Sequence, residues 1–483
     1  LEGTIRWDRS TEEGRVRVNP QLIRVSDDVH LWADRYDAVI DDIFAVQAEI
    51  AEKVVEELDI TLLDSERQTL TEQPSENTEA YDYYLKGRKY FGNHTAKDYM
   101  NAEAMFQKAI ELEPDFVSAL AWLSIVHTQI YSWYLDRTDE RLAAAKEAAD
   151  RALEIGPDIA TAHAALAWYH YAGVEDSEKA LGEFTALRER QPSDAMFNFC
   201  IALIEQRQGK WEEALVDYER AIKLDPRSAT FCGEYGTALY CLRRYNEAES
   251  LYNRAIELKP DMQQPHVNKS LIYVYRDGDI TGAKQVLQEA LQMNDRWPDL
   301  TDREATLEAL EGNYDRALTL LNDIRDISDI PAYDSACYYS LKGSIYRYMN
   351  QTDLMESCYD SARVILDRLV SAETEDPWYH AELGMVLAGL GCKQEAMHHG
   401  RLAVELSETT ENTSDRADLI SYLADTYAIV GEYDLAIDQF DYLLSVPSQM
   451  SIPLLKIWPD YAPLRDHPRF QALIDKYEKI HGI

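Results

Sequence analysis

Residues 209–226, GKWEEALVDYERAIKLDP, contain the pattern that decides the fold of this chain. In this stretch an alanine lies 12 residues before the closing proline, an aromatic residue 8 before it and a second alanine 5 before it. Residues 243–260, RRYNEAESLYNRAIELKP, carry the same residue types at the same distances. Because proline cannot continue a helix, each closing proline is expected to follow the end of one. The two stretches therefore predict the second half of a repeated helical element.

The pattern recurs along most of the chain. Pro192, Pro226 and Pro260 are 34 residues apart, and similarly placed alanines precede Pro114 and Pro157. Several repeats have a glycine or asparagine five residues before the first alanine position, where a left-handed residue would end one helix before the next begins. These residues are Gly209, Gly278, Gly312, Asn350, Gly391 and Gly431. Each repeat is thus predicted to be a helix, a tight turn, a second helix and a turn marked by proline.

Small residues at the alanine positions let two helices approach closely, and the ring fills the space beside the next repeat. One helical hairpin cannot bury its own apolar face, whereas stacked hairpins share a continuous core. The pattern resembles the tetratricopeptide repeat (TPR) family, which has small residues and rings at these offsets. The resemblance implies a mainly α fold, a right-handed superhelix of about ten helical hairpins. We place regular repeats at 80–295 and degenerate repeats at 296–447, and the repeat that ends at Pro157 is stretched to 43 residues.

Three runs of alternating apolar and polar residues precede the repeats and predict a three-stranded antiparallel meander. The runs are LEGTIRWD, RVRVNPQL and HLWADRYD. A helix is expected to follow Asp41 and Asp42, which are good capping residues. Its apolar face comprises Ile43, Val46, Ile50, Val54 and Leu58. Three strands and one helix bury too little apolar surface to be stable alone.

These runs, together with DIFAVQAEIAEKV and AYDYYLKGRKYF after them, resemble the end of the TolB-like amino-terminal domain of bacterial multidomain signalling proteins. The resemblance implies that residues 1–62 are a partial α/β domain and that 63–79 are a linker to the repeats. It also implies that residues ahead of Leu1 complete this domain and that an effector precedes it. In such proteins the effector is a class III adenylate cyclase domain, a winged-helix DNA-binding domain or a serine/threonine kinase.

The last residues of the chain depart from the repeat pattern. Pro459, Pro463 and Pro468 interrupt the sequence IWPDYAPLRDHPRFQALIDKYEKI. The short helix expected after them has one apolar face, formed by Phe470, Leu473, Ile474 and Tyr477. We therefore predict that residues 448–483 form a carboxy-terminal cap over the last apolar face of the array.

The composition narrows the classes of partner. Asp and Glu number 87 against 48 Lys and Arg, which gives a formal net charge of −39 at pH 7. Since this potential repels phosphate backbones, nucleic acid is not an expected partner of this region. The sequence contains no apolar run of about 18 residues, so it predicts no membrane span in this region. The six cysteines are scattered without a paired motif, which favours the cytoplasm, with the periplasm as the alternative.

The sequence shows no catalytic motif: H-E-x-x-H, G-x-x-x-x-G-K-[ST] and G-x-S-x-G are all absent. His398 and His399 are adjacent in a predicted helix, so they point about 100° apart and are assigned to a solvated face. The stretch DGDITG (277–282) begins like a calcium loop but has Gln288 at the twelfth position, and we interpret it as a turn. We therefore expect no enzyme activity, no metal and no cofactor in this region.

In a stacked array the first helix of each hairpin is expected to line the inner, concave wall, where such proteins usually hold peptides. Large rings and arginine are the residue types that anchor interfaces. The residues at the inward positions of the best repeats are Thr161, Trp168, Tyr171, Phe199, Leu203, Arg207, Tyr240, Asn268, Tyr275 and Arg276. In the alternative interpretation, the rings fill space between repeats and the arginines pair with neighbouring glutamates.

The sequence as a whole predicts a non-enzymatic TPR scaffold that binds a protein or peptide segment in its groove and regulates an attached or partner signalling domain. One alternative is the non-catalytic carboxy-terminal half of a class III adenylate cyclase or of a winged-helix transcriptional regulator. Another is an assembly platform that associates with itself through the ends of the array.

Overall fold

The structure of the protein, a computed structural model, describes residues 2–8, 15–24, 29–39, 43–58, 75, 77–92, 95–133, 135–293, 298–323, 331–372, 375–408 and 412–481. The chain divides into two compact units, which are described separately. Unit 1 comprises Leu1–Val174 and Gly182–Ser193, and unit 2 comprises Glu175–Leu181 and Asp194–Ile483.

Unit 1 begins with an antiparallel sheet built around one long central strand. Its strands are β1 (Glu2–Asp8), β2 (Arg15–Arg24), β3 (Val29–Ala33) and β4 (Tyr36–Val39). β1 pairs with β2, and both β3 and β4 also pair with β2. The predicted third run therefore forms two strands, separated by Asp34 and Arg35, so the described sheet has four strands.

One face of β2 is covered and β1 is not. Val16, Pro20 and Leu22, which alternate along β2, are buried. Ile5 of β1 is 57% exposed, so the predicted apolar face of the first strand is open at this residue. The expected helix spans Ile43–Glu57 and contacts β2 and β4. It buries Val46, but Leu58 at its end is 43% exposed; the expected caps Asp41 and Asp42 lie outside the described residues.

Ten helical hairpins follow in the described part of the chain, which confirms the predicted mainly α fold. Hairpin 1 comprises Thr78–Phe91 and Ala96–Leu112, hairpin 2 Val117–Ser132 and Asp139–Ile155, hairpin 3 Ala160–Trp168 and Ser177–Arg190, hairpin 4 Ala195–Arg207 and Trp211–Leu224, and hairpin 5 Ala229–Cys241 and Tyr245–Leu258. Hairpin 6 comprises Gln263–Ile272 and Ile280–Met293, hairpin 7 Pro298–Leu310 and Tyr314–Asp323, hairpin 8 Ala332–Tyr348 and Thr352–Ala372, hairpin 9 Pro377–Gly389 and Lys393–Ser407, and hairpin 10 Thr413–Ile429 and Tyr433–Ser445. Hairpins 4 to 10 lie in unit 2.

Three further elements follow hairpin 10 among the described residues, and two hairpins contain a π-helical turn. The final elements are the helix Ile452–Ile457, the 3-10 helix Pro459–Leu464 and the helix Pro468–His481. The first helices of hairpins 3 and 6 continue into the π turns Tyr169–Gly173 and Tyr273–Asp277. Such turns hold one residue more than the α-helical ladder and change the direction of the side chains after them.

Short polar residues start several of the helices. The side chains of Asp194, Ser228 and Asp376 accept hydrogen bonds from main-chain N–H groups in the first turn of hairpins 4, 5 and 9. Asn77 does the same for hairpin 1. These bonds satisfy N–H groups that have no partner inside the helix, and each such cap stabilises a helix by about 1 kcal/mol.

The residues predicted to close each first helix have the expected left-handed backbone. Gly209, Gly312 and Gly431 have φ values of 75°, 83° and 78°, and Asn350 has φ 55°. Gly278 and Gly391 have φ values of 68° and 78°. Glu175 and Arg243 occupy the same position in hairpins 3 and 5 with φ 56° and 59°, although neither residue type favours this region.

The predicted alanine and ring positions form the interface between the two helices of a hairpin. Phe106, Tyr218 and Tyr252 are fully buried, as are the alanines on either side of them. In hairpins 5 and 8 the ring lies against a glycine of the facing helix. A Cβ placed on Gly343 would lie 2.7 Å from the Tyr359 ring, which is too close for real atoms. The ring and the glycine are therefore a matched pair, and neither helix can move closer.

Replacing Gly343 with alanine should lower the stability of unit 2 by about 1.5 kcal/mol, because the new methyl group must displace the buried Tyr359 ring. Chemical denaturation followed by circular dichroism measures the change. Gly233→Ala is the matched control, since its nearest neighbour outside its own helix turn would be the Pro265 ring at 3.8 Å. That change should be neutral or stabilising by about 0.5 kcal/mol, because alanine favours a helix over glycine. Equal effects of the two changes would contradict the close-packing argument.

A half-buried ion network holds the stretched repeat of hairpin 2 against hairpin 1. Nη1 of Arg141 lies 2.8 Å from Oε1 of Glu103 and donates to Nδ1 of His127 at 2.7 Å. Nη2 of the same arginine lies 2.9 Å from Oδ2 of Asp136 in the extra loop. Burial lowers the pKa of His127, and the arginine beside it acts in the same direction. The neutral imidazole of His127 therefore accepts a hydrogen bond from Arg141. Ion pairs of Arg141, which are not part of the repeat pattern, hold the loop in place.

Candidate functional site

The first helices of unit 2 enclose a common interior. The first helix of hairpin 4 contacts the first helix of hairpin 10, and Oγ1 of Thr413 donates to the carbonyl oxygen of Arg207 at 3.1 Å. Tyr275 interacts electrostatically with Arg303 and Asp418. The first helices of hairpins 4 to 10 thus contribute to one lining, which we call the inner wall. It comprises Arg207, Glu234, Tyr240, Tyr275, Arg303, Cys337, Glu382, Asp418, Tyr422 and Asp425.

Four carboxyl groups on the inner wall are costly to ionise. Burial raises the pKa of Glu234, Asp418 and Asp425 to about 7, and it also raises the pKa of Glu382. A neighbouring carboxylate, Asp415, raises the pKa of Asp418 further. Since burial disfavours the charged form, each group gains from a positive charge brought beside it.

The rings at the predicted inward positions pack against other rings of the same unit. Tyr240 is 4% exposed, and its ring makes an edge contact with Tyr275 at a centroid distance of 5.6 Å. Phe199 stacks on Phe231 at 4.6 Å and makes an edge contact with Tyr218. The contacts of Tyr240 and Phe199 therefore match the alternative interpretation, in which the rings fill space between helices.

The polar candidates of unit 2 are also engaged locally. Nδ2 of Asn268 donates to Oγ1 of Thr237 at 3.1 Å, which joins hairpins 5 and 6. Nη1 of Arg276 lies 2.8 Å from Oε2 of Glu249 and Nε lies 2.8 Å from Oδ2 of Asp277. Arg276 thus forms the local ion pairs considered as the alternative. Arg207 remains on the inner wall, where burial raises the pKa of Asp415 and the arginine opposes that rise. Leu203 is half-buried on the same helix.

Thr161, Trp168 and Tyr171 lie in unit 1, on the first helix and π turn of hairpin 3. Trp168 makes edge contacts with Tyr171 and Phe184 at 5.6 and 6.2 Å, and Tyr171 is 9% exposed. Thr161 is half-buried. Alanine at both ring positions should therefore lower the thermal stability, because removing packed rings leaves a cavity.

The sequence did not predict that residues 446–464 lie against the inner side of unit 2. We call them the C-terminal segment. Arg243, at the left-handed turn of hairpin 5, donates to the carbonyl oxygens of Leu443, Val446 and Met450 at 2.8, 3.0 and 3.1 Å. It also donates to Oγ of Ser448, whose own N–H donates to the carbonyl oxygen of Cys241. A half-buried arginine thus fixes the start of the C-terminal segment to a turn about two hundred residues earlier in the chain.

Two adjacent residues fix the far end of the C-terminal segment. Asp460 accepts hydrogen bonds from Nη2 of Arg347 at 2.6 Å and from the hydroxyl of Tyr348 at 2.9 Å. The hydroxyl of Tyr461 donates to Asp425 on the inner wall. The Tyr461 ring is buried and makes an edge contact with Phe440 at 4.8 Å. The segment therefore connects hairpins 5, 8 and 10.

The final helix covers the second helix of hairpin 10. Its predicted apolar residues Phe470, Leu473, Ile474 and Tyr477 are all buried. Arg469 pairs with Asp434 and Asp438 at 2.7 and 2.6 Å along the edge of this contact. An apolar centre with a charged border is the usual composition of a helix interface at a protein surface.

The two adjacent histidines have different environments. His398 is exposed, as predicted for a solvated face, but His399 is half-buried and its Nδ1 lies 2.8 Å from Nδ1 of the buried His380. Burial and the two neighbouring imidazoles lower the pKa of His399 to about 4. The prediction of a solvated position is therefore wrong for His399. The described ranges contain no group of three or more His, Cys, Asp or Glu residues that could hold a metal ion.

Two further expectations concern the cysteines and the membrane. Cys200, Cys232 and Cys241 are buried free thiols, and Cys337, Cys358 and Cys392 are half-buried free thiols. Among the described residues, no helix is both long enough and apolar enough to cross a bilayer.

Residues 201–263, from hairpin 4 to the start of hairpin 6, match the tetratricopeptide repeat family. The chain is similar to "Putative adenylate cyclase 3" of Rhizobium meliloti (strain 1021), with 31% identity over 168 residues, 35% of this chain and 28% of that protein. It is also similar to the mitochondrial import receptor subunit TOM70 of Homo sapiens, with 24% identity over 166 residues, 32% of this chain and 27% of that protein. The chain thus spans less than a third of the length of these relatives.

Solved structures of helical repeat proteins are similar to this chain over longer ranges. The human IFIT1 dimer with m7Gppp-AAAA has 16% identity and a TM-score of 0.43, and the match covers 74% of this chain and 76% of that one. A tetratricopeptide repeat protein from Parabacteroides merdae has 19% identity and a TM-score of 0.38, with 53% of this chain and 95% of that one covered.

The hairpin array with its left-handed turns is a helical repeat fold, and the part that matches the tetratricopeptide repeat family lies within it. Proteins of this class generally serve as scaffolds for protein–protein interaction.

Proposed function

We propose that this chain is a non-enzymatic interaction module and that the inner wall of unit 2 binds a protein segment that carries lysine or arginine. The observation that supports this most directly is the set of wall carboxyl groups, Glu234, Asp418, Asp425 and Glu382, whose pKa burial raises. A cationic side chain placed among them would offset the cost of keeping them ionised.

The wall is suited to hold such a segment because its helices are already fixed. The first helices of hairpins 4 and 10 are joined by the bond from Thr413 to Arg207, so little ordering entropy is lost on binding. Tyr275 and Tyr422 belong to the same wall, and their rings would add cation–π contacts to a bound lysine or arginine. Arg207 and Arg303 are positive charges on the wall that would orient a carboxylate of the partner.

The proposed function includes regulation of a signalling domain, attached or separate. The similarity to "Putative adenylate cyclase 3" over 168 residues supports a cyclase as that domain. In this second candidate the chain is the non-catalytic carboxy-terminal part of a class III adenylate cyclase, or of a winged-helix regulator with a TolB-like domain before its repeats. The coding sequence ahead of Leu1 decides between these candidates. We assign the protein to the bacterial cytoplasm as part of the same proposal.

Binding of two fluorescein-labelled dodecapeptides, one with four lysines and one with four glutamates in place of them, tests the charge preference. We expect the lysine peptide to bind the wild-type chain about tenfold more tightly than the glutamate peptide does. Glu234→Gln with Asp418→Asn should weaken binding of the lysine peptide about tenfold, because both changes remove wall charge without changing side-chain volume.

The control is Asp434→Asn with Asp438→Asn, which removes the same formal charge from two exposed side chains on the second helix of hairpin 10. Its effect on the lysine peptide should stay within about twofold. An equal loss in both double variants would mean that the net charge of the chain attracts the peptide, and it would contradict binding at the inner wall. Failure of the lysine peptide to bind the wild-type chain would contradict it as well.

A further inference from the structure

The C-terminal segment contacts the array in a way that differs from a repeat. Each hairpin of a repeat array ordinarily contacts its neighbours, but this segment spans hairpins 5, 6, 8 and 10. Its two helical elements, Ile452–Ile457 and Pro459–Leu464, have six residues each. Since isolated helices this short are unstable in water, the wall determines the conformation of the segment.

The first half of the contact depends on the main chain of the segment. Arg243 donates to three carbonyl oxygens around the turn that ends hairpin 10, and the carbonyl oxygen of Cys241 accepts the Ser448 N–H. Every residue type offers the carbonyl oxygens, and every type except proline offers the N–H. Arg243 therefore recognises the shape of a turning chain more than its sequence.

The second half depends on side chains. Asp460 meets the guanidinium of Arg347 and the hydroxyl of Tyr348, whereas the next residue, Tyr461, meets the carboxyl of Asp425. Asp460 thus accepts hydrogen bonds from hairpin 8, and the adjacent Tyr461 donates one to hairpin 10. Prolines on both sides, Pro459 and Pro463, hold the backbone in a narrow range of conformations. Charge-assisted bonds at fixed spacing are a means of recognising sequence.

The apolar part of the contact is close-packed. A Cβ placed on Gly278, in the left-handed turn of hairpin 6, would lie 3.7 Å from Pro453 and 3.8 Å from Ile457, so the turn and the segment are near van der Waals contact. Ile452, Leu455 and Leu464 are buried. Hairpins 5, 6, 8 and 10 therefore present main-chain, side-chain and apolar contacts to one short chain segment.

From these contacts we propose that Arg243, Gly278, Arg347, Tyr348 and Asp425 form a binding site for a segment of the type Pro-Asp-Tyr-x-Pro, and that the chain's own C-terminal segment occupies it. A partner protein with such a sequence takes the site by exchange with residues 446–464. This inference extends the proposed function, with which it shares only Asp425. The other four residues of the site lie outside the set of carboxyl groups assigned to cationic segments, and the test uses a different peptide.

The test uses a fluorescein-labelled synthetic peptide with the sequence of residues 449–467 and the full chain with Asp460→Asn and Tyr461→Phe. These near-isosteric changes weaken the intrachain contact and leave Arg347, Tyr348 and Asp425 intact. We expect the peptide to bind this variant at least about tenfold more tightly than the wild-type chain. The same peptide with both changes should show no such gain, and adding Arg347→Met to the chain should remove the gain. Equal affinity for the wild-type chain and the variant would overturn the inference.

Hydrogen exchange of the unaltered chain provides a second measurement that does not depend on a variant. A partner can replace the segment only if the segment detaches from the inner wall while hairpin 10 stays folded. We expect amides in 452–464 to exchange at least about tenfold faster than those in Thr413–Ile429. Equal protection in both regions would show that the segment leaves only on unfolding of the unit and would overturn exchange with a partner. Neither result depends on binding of the lysine peptide.

Discussion

Replacing Arg243 with glycine should lower the free energy of unfolding of unit 2 by about 3–4 kcal/mol. The arginine makes four hydrogen bonds, to three carbonyl oxygens and to the hydroxyl of Ser448. Burial lowers the pKa of Arg243, which shows that the charge is held away from water. Without the guanidinium the buried carbonyl oxygens lose their donors. Glycine suits the φ of 59° at this position, so the loss measures the contacts and not backbone strain.

The adjacent residue provides the control for this change. Arg244 is exposed and pairs with Glu247 at 2.7 Å one turn along the same helix. Because an exposed pair of this kind contributes little, Arg244→Ala should change the stability by less than about 0.5 kcal/mol. Urea denaturation of both variants, followed by circular dichroism, measures the difference. Similar losses in the two variants would mean that the C-terminal segment contributes no special stability to unit 2.

The stability of unit 2 should fall as the pH rises toward 8, and Asp425→Asn should remove part of this dependence. Burial raises the folded-state pKa of Asp425 to about 7, and the neighbouring Asp460 acts in the same direction. An unfolded aspartate has a pKa of about 3.9, so the protonated folded form is favoured at low pH. Its contribution is complete below about pH 4 and is lost as the pH rises through 7. Relative to wild type, Asp425→Asn should gain about 2 kcal/mol more at pH 8 than at pH 4.5.

Asparagine keeps an oxygen that accepts the hydrogen bond from Tyr461 and changes the volume little, so it isolates the charge. Asp438→Asn serves as the control, because Asp438 is exposed and paired with Arg469. That variant should follow the wild-type stability within about 0.5 kcal/mol at both pH values. If Asp425→Asn follows it too, Asp425 is not held in the buried, hard-to-ionise state that its surroundings require.

The repeats were predictable from the sequence because they depend on local spacing. The alanine, ring and glycine positions all lie within one 34-residue period, so Tyr218, Gly209 and even Asn350 have the predicted roles. The two π turns were also predictable, from the spacing between each proline and the next marked alanine. Pro192 and Pro226 each precede the next marked alanine by 22 residues, whereas Pro157 and Pro260 precede it by 23. The one additional residue in hairpins 3 and 6 is held in the π turn.

The candidate site was less predictable, because its residues are far apart in sequence and of unexpected type. The sequence predicts rings and arginines as anchors, but four of the ten residues of the inner wall are carboxyl groups, among them Glu234 and Asp418. In a chain with 87 acidic residues, no local pattern separates these from the exposed ones. The contacts of the C-terminal segment join residues as far apart as Arg243 and Met450, and no repeat period relates them.

The hydrogen bonds between hairpin 5 and the C-terminal segment also affect the order in which the parts of unit 2 fold. An open array of repeats gains its contacts between neighbours, so its folding can begin anywhere and its ends can fray separately. In unit 2, the Thr413–Arg207 and Arg243–Met450 bonds close loops of about two hundred residues. Contacts of such sequence separation slow folding and bind the hairpins into one cooperative transition. During synthesis, hairpins 4 to 9 are therefore complete before these long-range contacts exist, and unit 2 reaches its full stability only when residues 446–464 have left the ribosome.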